Sequence, residues 1–189
     1  MAHKEQWVFC GKVKALHSEY FENKKVLDIG SFDVNGNEEF LFKKCEFTGL
    51  DIGPGNGVDV VCPAEEYDKP DNYFDTIISC ECWEHNPNYK ESIQNAIRML
   101  KSGGLFFFTC ATTGRPVHGV SYLEEQCSKE YNNWKTLPNV SKDNWDNDYY
   151  KNVTEKMIRD VIDVDTIFSS YEFEVEENHC DLYFWGIKK

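Results

Sequence analysis

The stretch Lys25–Gly36, KVLDIGSFDVNG, decides the fold. Val26, Leu27 and Ile29 flank Asp28 in a short apolar run that stops at Gly30, the pattern of a buried parallel strand whose carboxyl end opens into a glycine turn. Open α/β sheets bind ligands in the crevice outside the carboxyl ends of their strands. Gly30 carries no Cβ, so the chain turns sharply there and lets a ligand come close, while Asp28 sets a carboxylate beside the same crevice.

The pattern continues on both sides of this stretch. Before it, Trp7, Val13, Leu16, Tyr20 and Phe21 recur at roughly helical intervals and predict an N-terminal helix over residues 4–23 packed across the domain edge. After it, Asn37, Glu38 and Glu39 put polar and acidic groups in the first turn of a short helix that buries Phe40, Leu41 and Phe42. Phe47–Leu50 predicts a second strand ending at Asp51, and Val58–Cys62 a third, with Gly53-Pro54-Gly55-Asn56-Gly57 as the loop between them. Asp51 follows Asp28 by 23 residues, near the offset at which nucleotide-binding α/β folds place an acid on ribose hydroxyls.

Thr76–Cys80 reads as a fourth strand, with Glu81-Cys82-Trp83-Glu84-His85 at its carboxyl end. Pro87 and Asn88 start a helix with Ile93, Ile97, Met99 and Leu100 as its apolar set, closed by Gly103-Gly104, and Leu105–Thr109 is an apolar fifth strand. This alternation predicts a single α/β domain, residues 1–189, built on a doubly wound, mostly parallel sheet. From about 114 to 152 the periodicity is lost among Tyr131, Trp134, Trp145, Tyr149 and Tyr150, and a segment this long in a compact domain is expected to be a lid or substrate insertion. Thr154 then caps a helix, and Tyr171–Val175 with Leu182–Ile187 predicts an antiparallel hairpin.

Composition narrows the partners. A net charge of −13 argues against a nucleic-acid backbone, whose binding requires clustered Lys and Arg, and favours a small-molecule substrate. No apolar run is long enough to cross a bilayer and the first residues lack the core of a signal peptide, so a cytoplasmic protein without a membrane partner is expected. The eight cysteines show no CxxC pair; they are expected to be reduced, mostly core residues, and no metal site is expected.

Four blocks in this order, VLDIGSFDVNG, FTGLDIGPGNGVDVV, YFDTIISCECWEH with RMLKSGGLFFFT, and DLYFWGIKK, resemble the class I S-adenosylmethionine-dependent methyltransferases, and most closely the methyltransferase type 11 group. The resemblance implies a Rossmann-like, seven-stranded sheet of order 3-2-1-4-5-7-6 with an antiparallel last strand. It implies S-adenosyl-L-methionine as cofactor and S-adenosyl-L-homocysteine as product. By the same resemblance Asp28, Gly30, Ser31 and Asn35 meet the methionine part, Asp51 the ribose with Ile52 beside the adenine, Ala64 and Glu65 the adenine edge, and Ser79, Cys80 and Glu81 the amino-acid portion. Two departures stand out: Phe32 and Val34 replace the second and third glycines of the family's loop, and Pro63 replaces an acid near the adenine.

Methyl transfer from a sulfonium mainly requires holding the nucleophile and the methyl in line. A hydroxyl nucleophile also calls for a base, for which His85 and His118 are the candidates because both follow strands at the sheet's carboxyl edge. Each has an alternative reading, His85 as a helix-orienting residue with Glu84 and His118 as a loop tie. Arg115, Trp134, Trp145 and Tyr149 are candidate substrate contacts, through charge or ring stacking. The expected activity is methyl transfer to an oxygen or nitrogen of a small polar metabolite such as a sugar. A non-catalytic S-adenosylmethionine-binding protein is the alternative, and the missing GxGxxG with the terminal hairpin sets aside a nicotinamide enzyme.

Overall fold

A computed structural model describes residues 4–33, 36–118 and 149–189. Helix α1 (Lys4–Leu16) precedes β1 (Lys25–Ile29), β2 (Glu46–Asp51), β3 (Val60–Val61) and β4 (Phe74–Cys80). Helix α2 (Tyr89–Met99) leads into β5 (Leu100–Ala111), and α3 (Glu155–Val161) and α4 (Val164–Ile167) precede β6 (Phe168–Glu176) and β7 (Asp181–Lys188). The strands form one sheet in the order β3-β2-β1-β4-β5-β7-β6. The first five are parallel, and β7 runs antiparallel to both its neighbours. Both the predicted order and the reversed last strand are therefore present.

The two faces of the sheet carry separate cores because side chains alternate along a strand. Phe106 and Phe108 of β5, with Leu27, Ile29 and Ile77, meet Ile93, Ala96 and Ile97 of α2 and Ile158 of α3. On the other face, Leu105, Phe107 and Ile78 meet Phe9, Cys10 and Val13 of α1 together with Phe21 and Leu41. Burying a residue of Phe or Leu size contributes about 1.5–3 kcal/mol. The buried run in β5 is thus the spine of the domain.

Several boundaries differ from expectation, for local reasons. The N-terminal helix stops at Leu16 rather than 23 and gives way to a 3₁₀ turn, Ser18–Tyr20. There the Tyr20 carbonyl accepts a hydrogen bond from Thr76 Oγ1 at 2.9 Å, which pins the chain to β4. The short helix after β1 is only a 3₁₀ turn, Glu39–Leu41. The third strand shrinks to Val60–Val61 on the sheet edge.

Gly103-Gly104 does not cap α2, because Leu100 already pairs with Phe74 as the first residue of β5. The glycines instead lie in a bulge, since the next pair is Thr76 with Leu105. Gly103 has φ +75°, and a Cβ on Gly104 would stand 2.9 Å from the Asp75 carbonyl oxygen. Thr154 caps α3 as expected, its side chain accepting from the Met157 amide at 3.3 Å.

Candidate active site

The carboxyl ends of β1, β2, β4 and β5 converge on one edge of the sheet, and the crevice predicted there has two sides. On the first side, Gly30 has φ +81°, a conformation that costs little only without a Cβ. A side chain at that position would meet Cys82 Cβ and Sγ at 2.7 Å, so its space is taken by the turn after β4. The Gly30 and Ser31 amides both donate to the Leu50 carbonyl, at 2.8 and 3.1 Å, which folds the loop over the end of β2.

The facing loop explains how Phe32 is tolerated where the family prefers its second glycine, and it packs on Ser31 beside it; Val34, at the third glycine position, lies outside the described residues. A Cβ on Gly49 would come within 1.9 Å of the Gly57 carbonyl oxygen and 2.7 Å of Ser31 Oγ. One on Gly55 would lie 2.0 Å from the Phe32 ring. Close approach is therefore supplied by glycines of β2 and its following loop. Asp33 joins the two loops: its amide donates to the Asn56 carbonyl at 2.9 Å, its Oδ2 accepts from Asn56 Nδ2 at 3.1 Å, and its Oδ1 accepts from the Gly36 amide at 2.6 Å. Asn35 lies outside the described residues.

Asp51 ends β2 with Oδ2 accepting from the Phe32 amide at 3.3 Å and Oδ1 from the Gly53 amide at 3.1 Å. Each oxygen keeps a second lone pair. Burial raises the Asp51 pKa and these amides pull it back. Asp28, only 2% exposed, is pushed well above the ordinary carboxylate range by burial and then by Glu38 and Asp51. Glu38 is raised to about 7 by burial, against the hydrogen bond it accepts from Gln6 Nε2 at 2.6 Å. Glu81 takes a left-handed φ of +54° at the end of β4 and accepts from Thr109 Oγ1 at 2.8 Å. The crevice is thus lined by acids.

Other predicted residues have firm structural partners. Ser79 Oγ donates to the Ile29 carbonyl at 2.9 Å across the β1–β4 junction, and Cys80 Sγ lies 4.0 Å from Cys10 Sγ of α1. Ile52 is exposed. Ala64 is buried, with its carbonyl accepting from Asn95 Nδ2, and Glu65 accepts from Asn88 Nδ2 at 2.6 Å and Ser92 Oγ at 2.9 Å. Both Glu65 oxygens are thereby engaged with α2 and its N-terminus.

The second side of the crevice is formed by the turn after β4 and the loop after β5. His85 and His118 come together there, ring centroids 5.1 Å apart, and each ring also packs on Tyr150, at 5.4 and 4.9 Å. The chain returns to this edge through the Lys151 amide, which donates to the Glu84 carbonyl, and the Val153 amide, which donates to the Ala111 carbonyl. Burial lowers His85 to about 3 and His118 to about 4, so both imidazoles are neutral near pH 7 with a lone pair free but are weak proton acceptors. Arg115 is turned away to the hairpin, Nη1 donating to the His179 carbonyl at 2.7 Å and lying 3.7 Å from buried Asp181. Tyr149 is half-buried; Trp134 and Trp145 lie outside the described residues.

Sequence reasoning missed Glu84 and Glu38 as features of this site. Glu84 is fully buried and raised to about 8, first by burial and then by Glu81. Neither of its carboxylate oxygens reaches a partner in hydrogen-bonding geometry, although the Glu84 and Ala111 amides lie close enough to lower its pKa. The Trp-Glu-His run was its only trace in the sequence.

Residues 1–139 match a family model described as a methyltransferase domain. The chain belongs to this methyltransferase family. The assignment agrees with the class I resemblance, and with it the chain is an enzyme of the methyltransferase class. A comparison with curated protein sequences finds no match. Solved structures share the fold at low identity. A 1,6-didemethyltoxoflavin-N1-methyltransferase from Burkholderia thailandensis, with bound 1,6-didemethyltoxoflavin and S-adenosylhomocysteine, is 15% identical with a TM-score of 0.61, over 98% of this chain and 80% of that one. The phosphoethanolamine N-methyltransferase 2 of Haemonchus contortus, in complex with S-adenosyl-L-methionine, is 15% identical with a TM-score of 0.59, over 94% of this chain but only 52% of its own length. The PH0226 protein of Pyrococcus horikoshii OT3 is 16% identical with a TM-score of 0.60, over 99% and 92%.

The residues present suit the methyltransferase cofactor in charge. S-adenosylmethionine carries a sulfonium and an ammonium, and the crevice offers the buried acids Asp28, Glu38 and Glu81. A cation seated among them would hold them ionised. Asp51 retains acceptor capacity for hydroxyls beyond the two amides it already binds.

Proposed function

We propose that this methyltransferase passes the methyl group of S-adenosylmethionine to an oxygen or nitrogen of a small polar metabolite, with a sugar-like polyol as the leading class. The observation that carries the reading is the division of one sheet edge into an acid-lined side and a side built from two neutral imidazoles. Asp51 holds the ribose hydroxyls. Asp28 and Glu81 would hold the cationic methionine end, beside the Gly30–Ser31 turn. Ser79 and Cys80, held by their contacts to β1 and α1, would shape the end of β4 beside it.

On the opposite side His85 and His118 meet the acceptor group. A neutral imidazole there accepts a hydrogen bond from an O–H or N–H and orients its lone pair toward the methyl, which is the positioning that in-line transfer needs. Tyr149 and Tyr150, at the return of the chain, supply stacking surfaces for the acceptor. Arg115 acts through the hairpin, where its bonds to His179 and Asp181 anchor the loop that carries His118.

The acidic crevice and the net charge of −13 favour neutral or cationic acceptors over anionic ones. The test is turnover: purified protein with S-adenosylmethionine is screened against panels of sugars, amines and phosphate esters, with S-adenosylhomocysteine formation as the readout. Turnover with a neutral polyol or an amine supports the reading. Preference for an anionic ester, or for RNA at physiological salt, overturns the acceptor class.

A further inference from the structure

Glu84, His85 and His118 each offer one ligand atom to a set whose members all lie within 4.8 Å of one another. Two ligands on opposite sides of one ion, at ~2.0–2.2 Å per bond, stand about 4 Å apart, so this set nearly closes around a single point. Glu84 and His85 come from the turn after β4 and His118 from the loop after β5. The point therefore lies over the carboxyl edge where the acceptor must meet the donor.

Three further observations favour an ion at that point over a hydrogen-bonded triad. Among the described residues no hydrogen bond or ion pair joins Glu84 to either imidazole, and both Glu84 oxygens are buried without a partner in hydrogen-bonding geometry. His118 Nδ1 stands 3.0 Å from the Pro116 carbonyl oxygen. A carbonyl only accepts, so Nδ1 carries the proton and Nε2 presents its lone pair, the arrangement by which a backbone carbonyl commonly orients a metal-binding imidazole. Finally, two imidazoles with one carboxylate are a donor set suited to first-row divalent cations that keep open positions.

We propose that Glu84, His85 and His118 bind a divalent transition-metal cation, and that the acceptor, an alcohol or phenol, meets the imidazoles through this ion, its oxygen taking one of the open positions in place of a direct hydrogen bond to a ring nitrogen. This proposal departs from the expectation, drawn from the cysteine spacing, of a chain without a metal site. It rests on the methyl-transfer reading for the role of the ion, but not for its binding. The ion acts as a Lewis acid that lowers the pKa of the acceptor hydroxyl, so the proton leaves to solvent without a strong side-chain base. The oxygen then forms a bond to the methyl carbon as the carbon–sulfur bond breaks, and that electron pair stays on sulfur as S-adenosylhomocysteine.

Manganese is the probe, because it prefers oxygen and nitrogen ligands over thiolates and so discriminates this site from the second cluster of Cys10, Glu38 and Cys80. Titration of the full chain with Mn²⁺, followed by the loss of the free-ion electron paramagnetic resonance signal, is expected to show one bound ion per chain. Affinity should fall at least tenfold in His118→Gln and in Glu84→Gln and stay unchanged in Cys10→Ser. No binding at millimolar Mn²⁺, retention by both ligand variants, or loss in Cys10→Ser overturns the site. Circular-dichroism melting checks folding; should Glu84→Gln fail to fold, His118→Gln and His85→Gln decide. Calorimetric titration with S-adenosylmethionine runs beside it: Mn²⁺ binding without cofactor binding leaves the metal site and removes the methyl-transfer reading, and the converse does the opposite.

Discussion

The two sides of the crevice are built on different principles. The acid-lined side proposed for the cofactor is built in its Asp28–Glu65 part from residues close in sequence and held by backbone amides: Leu50 receives Gly30 and Ser31, Asp51 receives Phe32 and Gly53. The side proposed for the acceptor brings the Glu84-His85 pair together with His118 and Tyr150 from distant parts of the chain, and leaves a buried carboxylate beside two neutral imidazoles. A dense mesh of short-range bonds makes the first side a rigid seat. The second holds polar groups that bond one another poorly and so remain available to a substrate or an ion.

If the acceptor side is the chemical one, His85→Gln should give the largest effect. Turnover with the identified acceptor is expected to fall on the order of 10²-fold, the cost of losing alignment at the reacting group. S-adenosylmethionine affinity, read by calorimetry, should be unchanged. A parallel loss of cofactor binding would dissolve the division between the two sides.

The rigidity of the cofactor side is tested by Gly49→Ala. The new Cβ would sit 1.9 Å from the Gly57 carbonyl oxygen, and backbone cannot yield as a flexible side chain can. A cost of about 3 kcal/mol is expected for overpacking of this kind. In a chain of this size that lowers Tm by roughly 6–12 °C, measurable by scanning calorimetry. An unchanged Tm would mean that the two loops are not packed as described.

Asp51→Ala separates binding from folding on the same side. Cofactor affinity should weaken more than tenfold, at least about 1.4 kcal/mol, with the melting profile nearly preserved. Unaltered affinity in the titration would remove Asp51 from the ribose site.

The smallest effect is a pH dependence. Glu38 is raised to about 7 in the folded chain from an ordinary 4.5, so between those values the unfolded chain has lost a proton that the folded chain keeps. Stability from this group is fully present below pH 4.5 and is lost as pH rises through 7. Glu38→Gln should flatten the fall between pH 4.5 and 7 by on the order of 1 kcal/mol. Denaturant titrations at several pH values check it, and an unchanged slope would place the Glu38 carboxyl in water. The buried histidines act in the opposite sense, since His85 at about 3 and His118 at about 4 stay neutral while the unfolded chain takes up protons below 6.5.

The placing of the acid-lined side was legible from sequence because its determinants are local. An apolar run ending at Gly30 and a second ending at Asp51 place both residues on one sheet edge once the strands are parallel neighbours, and the register Ile29 to Leu50 shows that they are. The reason for the glycines was not legible. Gly30 makes room for Cys82, and Gly49 and Gly55 make room for Ser31 and Phe32, all through contacts between separate loops. Gly103-Gly104 misled in the same way: as local signals they mark a helix end, but the pairing of Leu100 with Phe74 turns them into a bulge. Arg115 looked like a free cation, and the hairpin residues that hold it lie more than sixty positions away.

The sequence by itself determined the α/β class, the strand order that follows from resemblance, and the placing of Asp28 and Asp51, because strand periodicity and turn chemistry act over a few residues. Only the tertiary structure decided that Glu84 is buried, that His85 and His118 face one another across two loops, and that an acid-lined side stands opposite an imidazole side. Burial and electrostatic environment are properties of the packed chain: the same carboxyl is an ordinary surface acid or a group raised to about 8 according to what surrounds it.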